Sequence, residues 1–193
     1  KQLDLLEHLA ELEAFGYTVL PPEKVGPADQ HEEAKEAVLR IACERKDCSR
    51  DELGDVFNDG QELLRFVLWD DHIFEKLVLT PAALGLIQWL VGTSCVLSLC
   101  NAWVKGKGTA RTGIHADWAQ FEMPTMAVET FGANFNYLLT DYSKDDGGLS
   151  FVPGSHRWRR LPSKEEAAYW ADNAQAVEAP AGSMVIWGDH TWH

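Results

Sequence analysis

The sequence predicts a mainly β fold with flanking α-helices, in which the strands form a sandwich or a jelly roll. Three observations support this class. Apolar residues recur at helical spacing in the first half, short apolar runs alternate with glycine and proline turns in the second half, and 193 residues suit one domain. We therefore expect a single domain over 1–193, helix-rich over 1–93 and with the jelly-roll core over 94–193.

The helices of the first half follow from apolar spacing and from their end signals. Leucines recur every three or four positions up to Phe15, and Gly16 ends that run. Thr80 followed by Pro81 is typical of a helix start, with a capping hydroxyl and a proline in the first turn. The expected elements are a helix over 3–15, a strand over 17–20, a helix around 34–42 and a helix over 81–90.

The second half has the pattern of short strands. Glycine and proline pairs separate its apolar runs, and alternation within one run places Asn134 and Asn136 on a common face. A helix or loop is expected over 167–174. The expected strands cover 96–104, 111–118, 131–140, 149–152 and 182–187.

The composition argues against several classes of partner. A net charge of −13 makes nucleic acid an improbable ligand, because phosphate recognition needs a basic face. No apolar run is long enough for a membrane span, and the opening residues do not form a signal peptide. The four cysteines form no Cys-x-x-Cys pair, which favours reduced thiols and a cytoplasmic location. The composition gives no prediction of oligomeric state.

The tripeptide His115-Ala116-Asp117 is the strongest indication of chemistry. Side chains two positions apart on a strand point to the same face, so this imidazole and this carboxylate could bind one metal ion. A histidine from a distant strand would complete a 2-His-1-carboxylate triad, which is typical of non-haem Fe(II) oxygenases. Both His190 and His193 are candidates, and they would face opposite sides of a regular strand. Zinc with an open coordination position is the alternative metal.

Four segments, taken in order, resemble the phytanoyl-CoA dioxygenase-like family of Fe(II)/2-oxoglutarate oxygenases. They are 13–20, 113–118, 138–156 and 179–193, so the resemblance covers nearly the whole chain. It implies a double-stranded β-helix core of the cupin-like, jelly-roll type. It also implies Fe(II), 2-oxoglutarate as cosubstrate, O2, and hydroxylation of a small organic substrate with release of succinate and carbon dioxide.

The resemblance also implies roles for individual residues. The metal ligands, and hence the catalytic residues, would be His115, Asp117 and His193, with His193 preferred to His190. Asn136, together with Asn134 on its face, would line the 2-oxoglutarate pocket. The presence of Asp117 implies hydroxylation, because related halogenases leave that position without a carboxylate. His156, which follows a proline–glycine turn, would be structural.

One family feature is missing from the sequence. The family anchors the distal carboxylate of 2-oxoglutarate with an arginine placed shortly after the second histidine ligand, and this sequence ends at His193. Either the chain is truncated or the protein lacks this anchor. We expect truncation at the C-terminus, with that arginine beyond His193, because a jelly roll that ended at its last ligand would lose the following strand. Two alternatives stay open: a cupin-like metalloenzyme that does not use 2-oxoglutarate, and a non-catalytic jelly-roll binding domain.

Overall fold

The structure is a computed structural model that describes residues 3–57, 61–106, 112–121 and 125–193. Its residues form two compact units. Unit 1 draws on 1–26, 80–95 and 113–193, and unit 2 draws on 27–79 and 96–112. Both units therefore contain residues from both halves of the chain. A single domain over 1–193 divided at residue 93 stays a prediction.

Among the described residues, more lie in helices than in strands. The helical content is therefore higher than the predicted mainly β class implies. The helices are α1 (Leu6–Phe15), α2 (Pro22–Val25), α3 (Ala28–Lys46), α4 (Leu53–Val56), α5 (Ile73–Val78), α6 (Pro81–Val91) and α7 (Lys164–Asn173). The strands are β1 (Tyr17–Leu20), β2 (Gln61–Leu64), β3 (Ala102–Lys105), β4 (Ala133–Tyr137), β5 (Ser150–Phe151), β6 (Gln175–Ala176) and β7 (Met184–Gly188). Short 3-10 helices cover Val67–Trp69, Asp117–Phe121 and Ser155–Trp158.

The predicted helices are all present, and three of the predicted strands appear at or within their expected ranges. The strand predicted over 182–187 is β7, which extends one residue further, to Gly188. The run over 96–104 is a strand only from Ala102 onward. The predicted strand over 111–118 is wrong for the part that the structure describes, and residue 111 lies outside that part. The chain turns at the end of the tripeptide, where a 3-10 helix begins at Asp117. The Ala119 N–H donates to the Ala116 carbonyl in this turn.

A three-stranded antiparallel sheet forms the centre of unit 1, with β7 between β1 and β4. All five residues of β7 are buried, since helices cover one face of the sheet and an apolar cluster covers the other. The helix-side cluster comprises Leu12, Leu20, Val25, Ala82, Ala83, Leu86, Met184 and Ile186. The opposite cluster comprises Leu138, Phe151, Val177, Val185 and Trp187. Alternation along β7 thus assigns Trp187 to the face away from the helices.

Unit 2 is built on the apolar face of α3, which packs against α5. The buried residues of α3 are Ala34, Ala37, Val38, Ile41 and Ala42. Strands β2 and β3 pair antiparallel, with Leu64 opposite Ala102. No helix among the described residues is long and apolar enough to cross a bilayer. The cytoplasmic location stays a prediction.

Gly16 connects α1 to β1 and contacts the end of the chain. Its backbone is left-handed, with φ of 87°, and a Cβ placed there would lie 2.6 Å from His156 Nδ1 and 2.7 Å from Thr191 Oγ1. The Thr191 hydroxyl donates to the Gly16 carbonyl at 2.9 Å. A side chain at position 16 would therefore displace the segment that leads to His193.

We expect Gly16→Ala to lower the free energy of unfolding by about 1–3 kcal/mol, since it combines backbone strain with overpacking. Gly54→Ala is the matched control, because a Cβ at Gly54 meets no atom within 4 Å and alanine favours the helix in which it lies. Urea denaturation of the two variants and the wild type measures the difference. Equal stabilities for the two variants would contradict this account of the turn.

Candidate metal centre

Three side chains from distant parts of the sequence meet in unit 1. His115, Asp117 and His193 each offer one ligand atom, and these atoms all lie within 4.8 Å of one another. All three residues are partly buried. The structure therefore brings together the three residues that the sequence predicted as metal ligands.

A pair of backbone hydrogen bonds places the two histidines side by side. The His115 N–H donates to the His193 carbonyl, and the His193 N–H donates to the His115 carbonyl, both at 2.9 Å. This exchange is the hydrogen-bonded pair of an antiparallel ladder, in which the two side chains leave on the same face. The ring centroids lie 4.4 Å apart. The contact needs only one residue on each segment, so it forms without a regular strand at His115.

The Nδ1 atom of each imidazole makes a hydrogen bond that fixes the orientation of the ring. His115 Nδ1 lies 2.9 Å from the Gly113 carbonyl oxygen, and His193 Nδ1 lies 3.0 Å from the Thr191 carbonyl oxygen. A carbonyl only accepts hydrogen bonds, so both Nδ1 atoms carry a hydrogen, and in the neutral form of each ring Nε2 keeps a free lone pair. This is the tautomer that a metal-binding histidine uses when a carbonyl orients it.

The distances between the candidate ligand atoms fit the binding of one metal ion. His115 Nε2 lies 3.6 Å from Asp117 Oδ1, and His193 Nε2 lies 3.5 Å from Asp117 Oδ2. Ligands that bind one ion at about 2.0–2.2 Å lie roughly 3.0–3.5 Å from each other, so small side-chain movements would suffice. Two neutral imidazoles and one carboxylate are the donor set of non-haem Fe(II) sites that keep open positions. The residues present therefore fit such a metal.

Two strands of the central sheet hold the carboxylate in place. Asp117 Oδ2 accepts a hydrogen bond from Asn134 Nδ2 at 2.6 Å and another from Trp187 Nε1 at 3.2 Å. Asn134 on β4 and Trp187 on β7 are direct partners in the strand register. The sheet thus directs two donors at one oxygen, while Asp117 Oδ1 faces His115. The sequence analysis gave Trp187 no role in the site.

The electrostatics suit a cation. Burial tends to raise the pKa of Asp117, but the neighbouring His115 and the charges of the two imidazoles hold that pKa below its usual value. Burial lowers the pKa of His193 although Asp117 opposes the shift. Interaction with Asp117 raises the pKa of His115 against its burial. At neutral pH the centre therefore contains an ionised carboxylate and, in His193, a neutral imidazole.

The two histidines differ in their access to solvent. The His193 side chain is 6% exposed, and that of His115 is 42% exposed. The His193 ring packs against Phe151 and Trp187, with centroid distances of 5.7 and 5.1 Å, and Tyr17 stacks on Phe151 at 4.3 Å. An aromatic wall therefore closes the His193 side, and the His115 side is open to solvent. The sequence analysis did not assign Phe151 to the site.

Asn134 and Asn136 share a face of β4, as alternation predicted. Asn134 contacts Asp117, whereas Asn136 forms a side-chain hydrogen bond with Tyr142. Burial raises the pKa of Tyr142, and this hydrogen bond partly offsets the shift. Polar groups therefore extend along the face of β4 that carries Asn134.

His190 does not belong to the group formed by His115, Asp117 and His193. His190 is buried against Trp118, with ring centroids 4.8 Å apart, and its Nε2 lies 3.7 Å from Asp189 Oδ1. Asp189 Oδ2 accepts the Phe131 and Gly132 N–H groups at 3.3 and 2.9 Å. Burial raises the pKa of Asp189 to about 6 despite these two bonds. Asp189 and His190 are thus packed with the segment 131–132, which Asp189 binds through two backbone N–H groups.

His156 also lies outside the cluster, in the 3-10 helix Ser155–Trp158 beside Gly16. Burial lowers its pKa, which is consistent with a neutral, packed side chain. Its position agrees with the structural role that the sequence analysis expected.

Two curated proteins match part of this chain. Dioxygenase af480 of Aspergillus fumigatus is 25% identical over 123 residues, which are 64% of this chain and 39% of that protein. The uncharacterized protein Rv1501 of Mycobacterium tuberculosis is 24% identical over 139 residues, which are 68% of this chain and 48% of that protein. The chain thus spans less than half the length of these curated relatives.

Solved structures share the overall fold. The epimerase SnoN in complex with Fe3+, alpha ketoglutarate and nogalamycin RO has a TM-score of 0.66 at 20% identity, covering 97% of this chain and 75% of SnoN. HygX from Streptomyces hygroscopicus with nickel, 2-oxoglutarate and hygromycin B bound has a TM-score of 0.67 at 14% identity, covering 97% and 79%.

The profile of the family described as phytanoyl-CoA dioxygenase (PhyH) matches residues 12–193, which is nearly the whole chain. The match extends from α1 to the last predicted ligand, so it includes all three residues of the metal cluster. The chain belongs to the phytanoyl-CoA dioxygenase (PhyH) family.

Proposed function

We propose that this chain forms the metal centre of a non-haem Fe(II)- and 2-oxoglutarate-dependent dioxygenase that oxidises a small organic molecule. The observation that carries the proposal is the convergence of His115 Nε2, His193 Nε2 and the Asp117 carboxylate. Membership of the family supports it. So do the fold neighbours SnoN and HygX, whose structures contain iron or nickel together with the 2-oxo acid.

We further propose that the strands of unit 1 belong to a double-stranded β-helix, the core that the family resemblance implies. The antiparallel order β1-β7-β4 supports this, because it brings strands from opposite ends of the sequence together. The TM-scores of 0.66 and 0.67 to SnoN and HygX support it as well.

Each ligand has a distinct task. His115 and His193 would donate neutral nitrogen lone pairs, and Asp117 would offset one unit of the cation's charge. Asn134 and Trp187 keep the carboxylate oriented through their hydrogen bonds to Oδ2. When bound, Fe(II) supplies the coupling of O2 reduction to 2-oxoglutarate decarboxylation, which yields succinate, carbon dioxide and the oxidised product.

Asn136 is the proposed cosubstrate contact, in partnership with Tyr142. Their side-chain hydrogen bond holds an amide and a phenol on the face of β4 that also carries Asn134. Asn134 would act on the cosubstrate indirectly, because its amide already donates to Asp117. This division refines the prediction that both asparagines line the 2-oxoglutarate pocket.

The proposed substrate is a small molecule that approaches from the exposed His115 side. The neighbouring proteins bind compounds of this size: nogalamycin RO in SnoN and hygromycin B in HygX. The aromatic wall of Phe151 and Trp187 on the His193 side would exclude water. Because Asp117 occupies the third ligand position, we propose hydroxylation as the outcome.

We expect the wild type to convert 2-oxoglutarate to succinate when supplied with Fe(II) and O2. His115→Ala and Asp117→Ala should each lower the rate at least about 100-fold, since each removes a ligand and not merely a residue that supports one. His72→Ala is the matched control, because that side chain is 92% exposed and lies on unit 2. Succinate is measured by mass spectrometry.

Equal succinate rates for wild type and His115→Ala would refute the proposed function. Metal binding by the wild type without any succinate would instead favour a metalloenzyme that does not use 2-oxoglutarate. A wild type that binds neither the metal nor the 2-oxo acid would favour the non-catalytic binding domain.

Asn134→Ala and Trp187→Phe should each weaken metal binding about 10–100-fold, because Asp117 Oδ2 loses one of its two donors. Phenylalanine keeps an aromatic ring at position 187 and removes the N–H together with the pyrrole part of the indole. Trp103→Phe, at an exposed position on β3, is the control. Calorimetric titration with Mn(II) measures the affinities, and unchanged affinity in both variants would show that these donors do not orient the carboxylate.

A further inference from the structure

Helix α3 ends in a tight turn that joins two cysteines. Asp47 adopts the left-handed conformation, with φ of 51°, and its N–H donates to the Cys43 carbonyl. The Cys48 N–H donates to the same carbonyl at 3.2 Å. The bond from Cys48 is the six-residue closure of a Schellman-type turn. In such turns the side chain after the left-handed residue frequently contacts the helix residue whose carbonyl accepts the bond. The turn therefore directs the side chain of Cys48 toward Cys43.

The side chains make the contact that this backbone predicts. The Cys43 side chain lies close enough to Cys48 to raise the pKa of its thiol, both electrostatically and as a hydrogen-bonding neighbour. Both residues are only partly buried, and neither is in a disulfide. They line an open cavity of about 420 Å³ together with Glu44, Asp47, Ser49 and Glu52. Reagents dissolved in water can thus reach two neighbouring thiols that line the same open pocket.

We propose that Cys43 and Cys48 form a dithiol modification site that closes reversibly to an intramolecular disulfide. With hydrogen peroxide as oxidant, the O–O bond breaks, one S–S bond forms, and the two thiol protons leave in two molecules of water. The two sulfurs together lose two electrons, which the peroxide gains. A dithiol reductant returns both thiols by exchange.

The surroundings slow the reaction of the resting pair with oxidants. Burial, the Cys43 thiol and the carboxylates of Glu52 and Asp47 all raise the pKa of the Cys48 thiol. Because the thiolate is the reactive form, Cys48 reacts with peroxide more slowly than an activated cysteine does. Proximity of the second thiol, and not an unusual reactivity of the first, is what favours the disulfide over a mixed adduct. The site lies on unit 2 and does not depend on the proposed function of the metal centre.

Trypsin makes the test direct, because Arg45 and Lys46 lie between the two cysteines. The reduced full-length chain is treated with a few equivalents of hydrogen peroxide, alkylated and digested without reductant. We expect peptide 41–45 linked to peptide 47–50, with the intact protein lighter by two hydrogens and two of its four thiols protected from alkylation. Dithiothreitol should release the two peptides. Separate oxygen or alkyl adducts on Cys43 and Cys48, with no linked peptide, would overturn the proposal.

A second probe does not require oxidation. Phenylarsine oxide bridges two adjacent thiols, so the wild type and Cys95→Ser should each bind it, and Cys48→Ser should bind at least about tenfold less. Equal binding by wild type and Cys48→Ser would place the reactive pair elsewhere and refute the proposal. Linked peptides that contain Cys95 or Cys100 in equal yield would refute it as well. Cys95→Ser also controls for the general effect of replacing a partly buried cysteine.

Discussion

The proposed metal centre depends on one pair of backbone hydrogen bonds, those exchanged between His115 and His193. Each residue donates to and accepts from the other at 2.9 Å, which places two imidazoles from distant parts of the sequence on one face. The carbonyls of Gly113 and Thr191 then set the tautomers, so that both Nε2 atoms point toward Asp117. Backbone hydrogen bonds thus bring the two proposed histidine ligands together and orient their rings.

The third ligand depends on the register of the central sheet. Asn134 and Trp187 are opposite each other on β4 and β7, and both donate to the same oxygen of Asp117. A slip of one residue in this pairing would turn these side chains to the helix-facing side of the sheet. The apolar clusters on the two faces oppose such a slip, because it would exchange Trp187 for Ile186. The packing of the fold therefore also stabilises the orientation of the carboxylate.

Sequence patterns predicted the elements whose formation depends mainly on neighbouring residues. The spacing of leucines and Gly16 predicted α1, and the apolar run over 182–187 predicted β7. The residue types and the family resemblance identified the three members of the cluster. The strand over 111–118 was predicted wrongly, because its tripeptide pairs with the chain end at one point and then turns. The roles of Trp187 and Phe151 arise from contacts between distant segments, and no local sequence pattern records them.

Locating a bound metal ion tests whether His115, Asp117 and His193 are its ligands. Crystals grown with Fe(II) in the absence of oxygen would be measured by anomalous diffraction at the iron edge. The account predicts one peak, about 2.0–2.2 Å from the Nε2 atoms of His115 and His193 and from a carboxylate oxygen of Asp117. A peak beside His190, or iron bound elsewhere with these three side chains left in hydrogen bonds to one another, would contradict it.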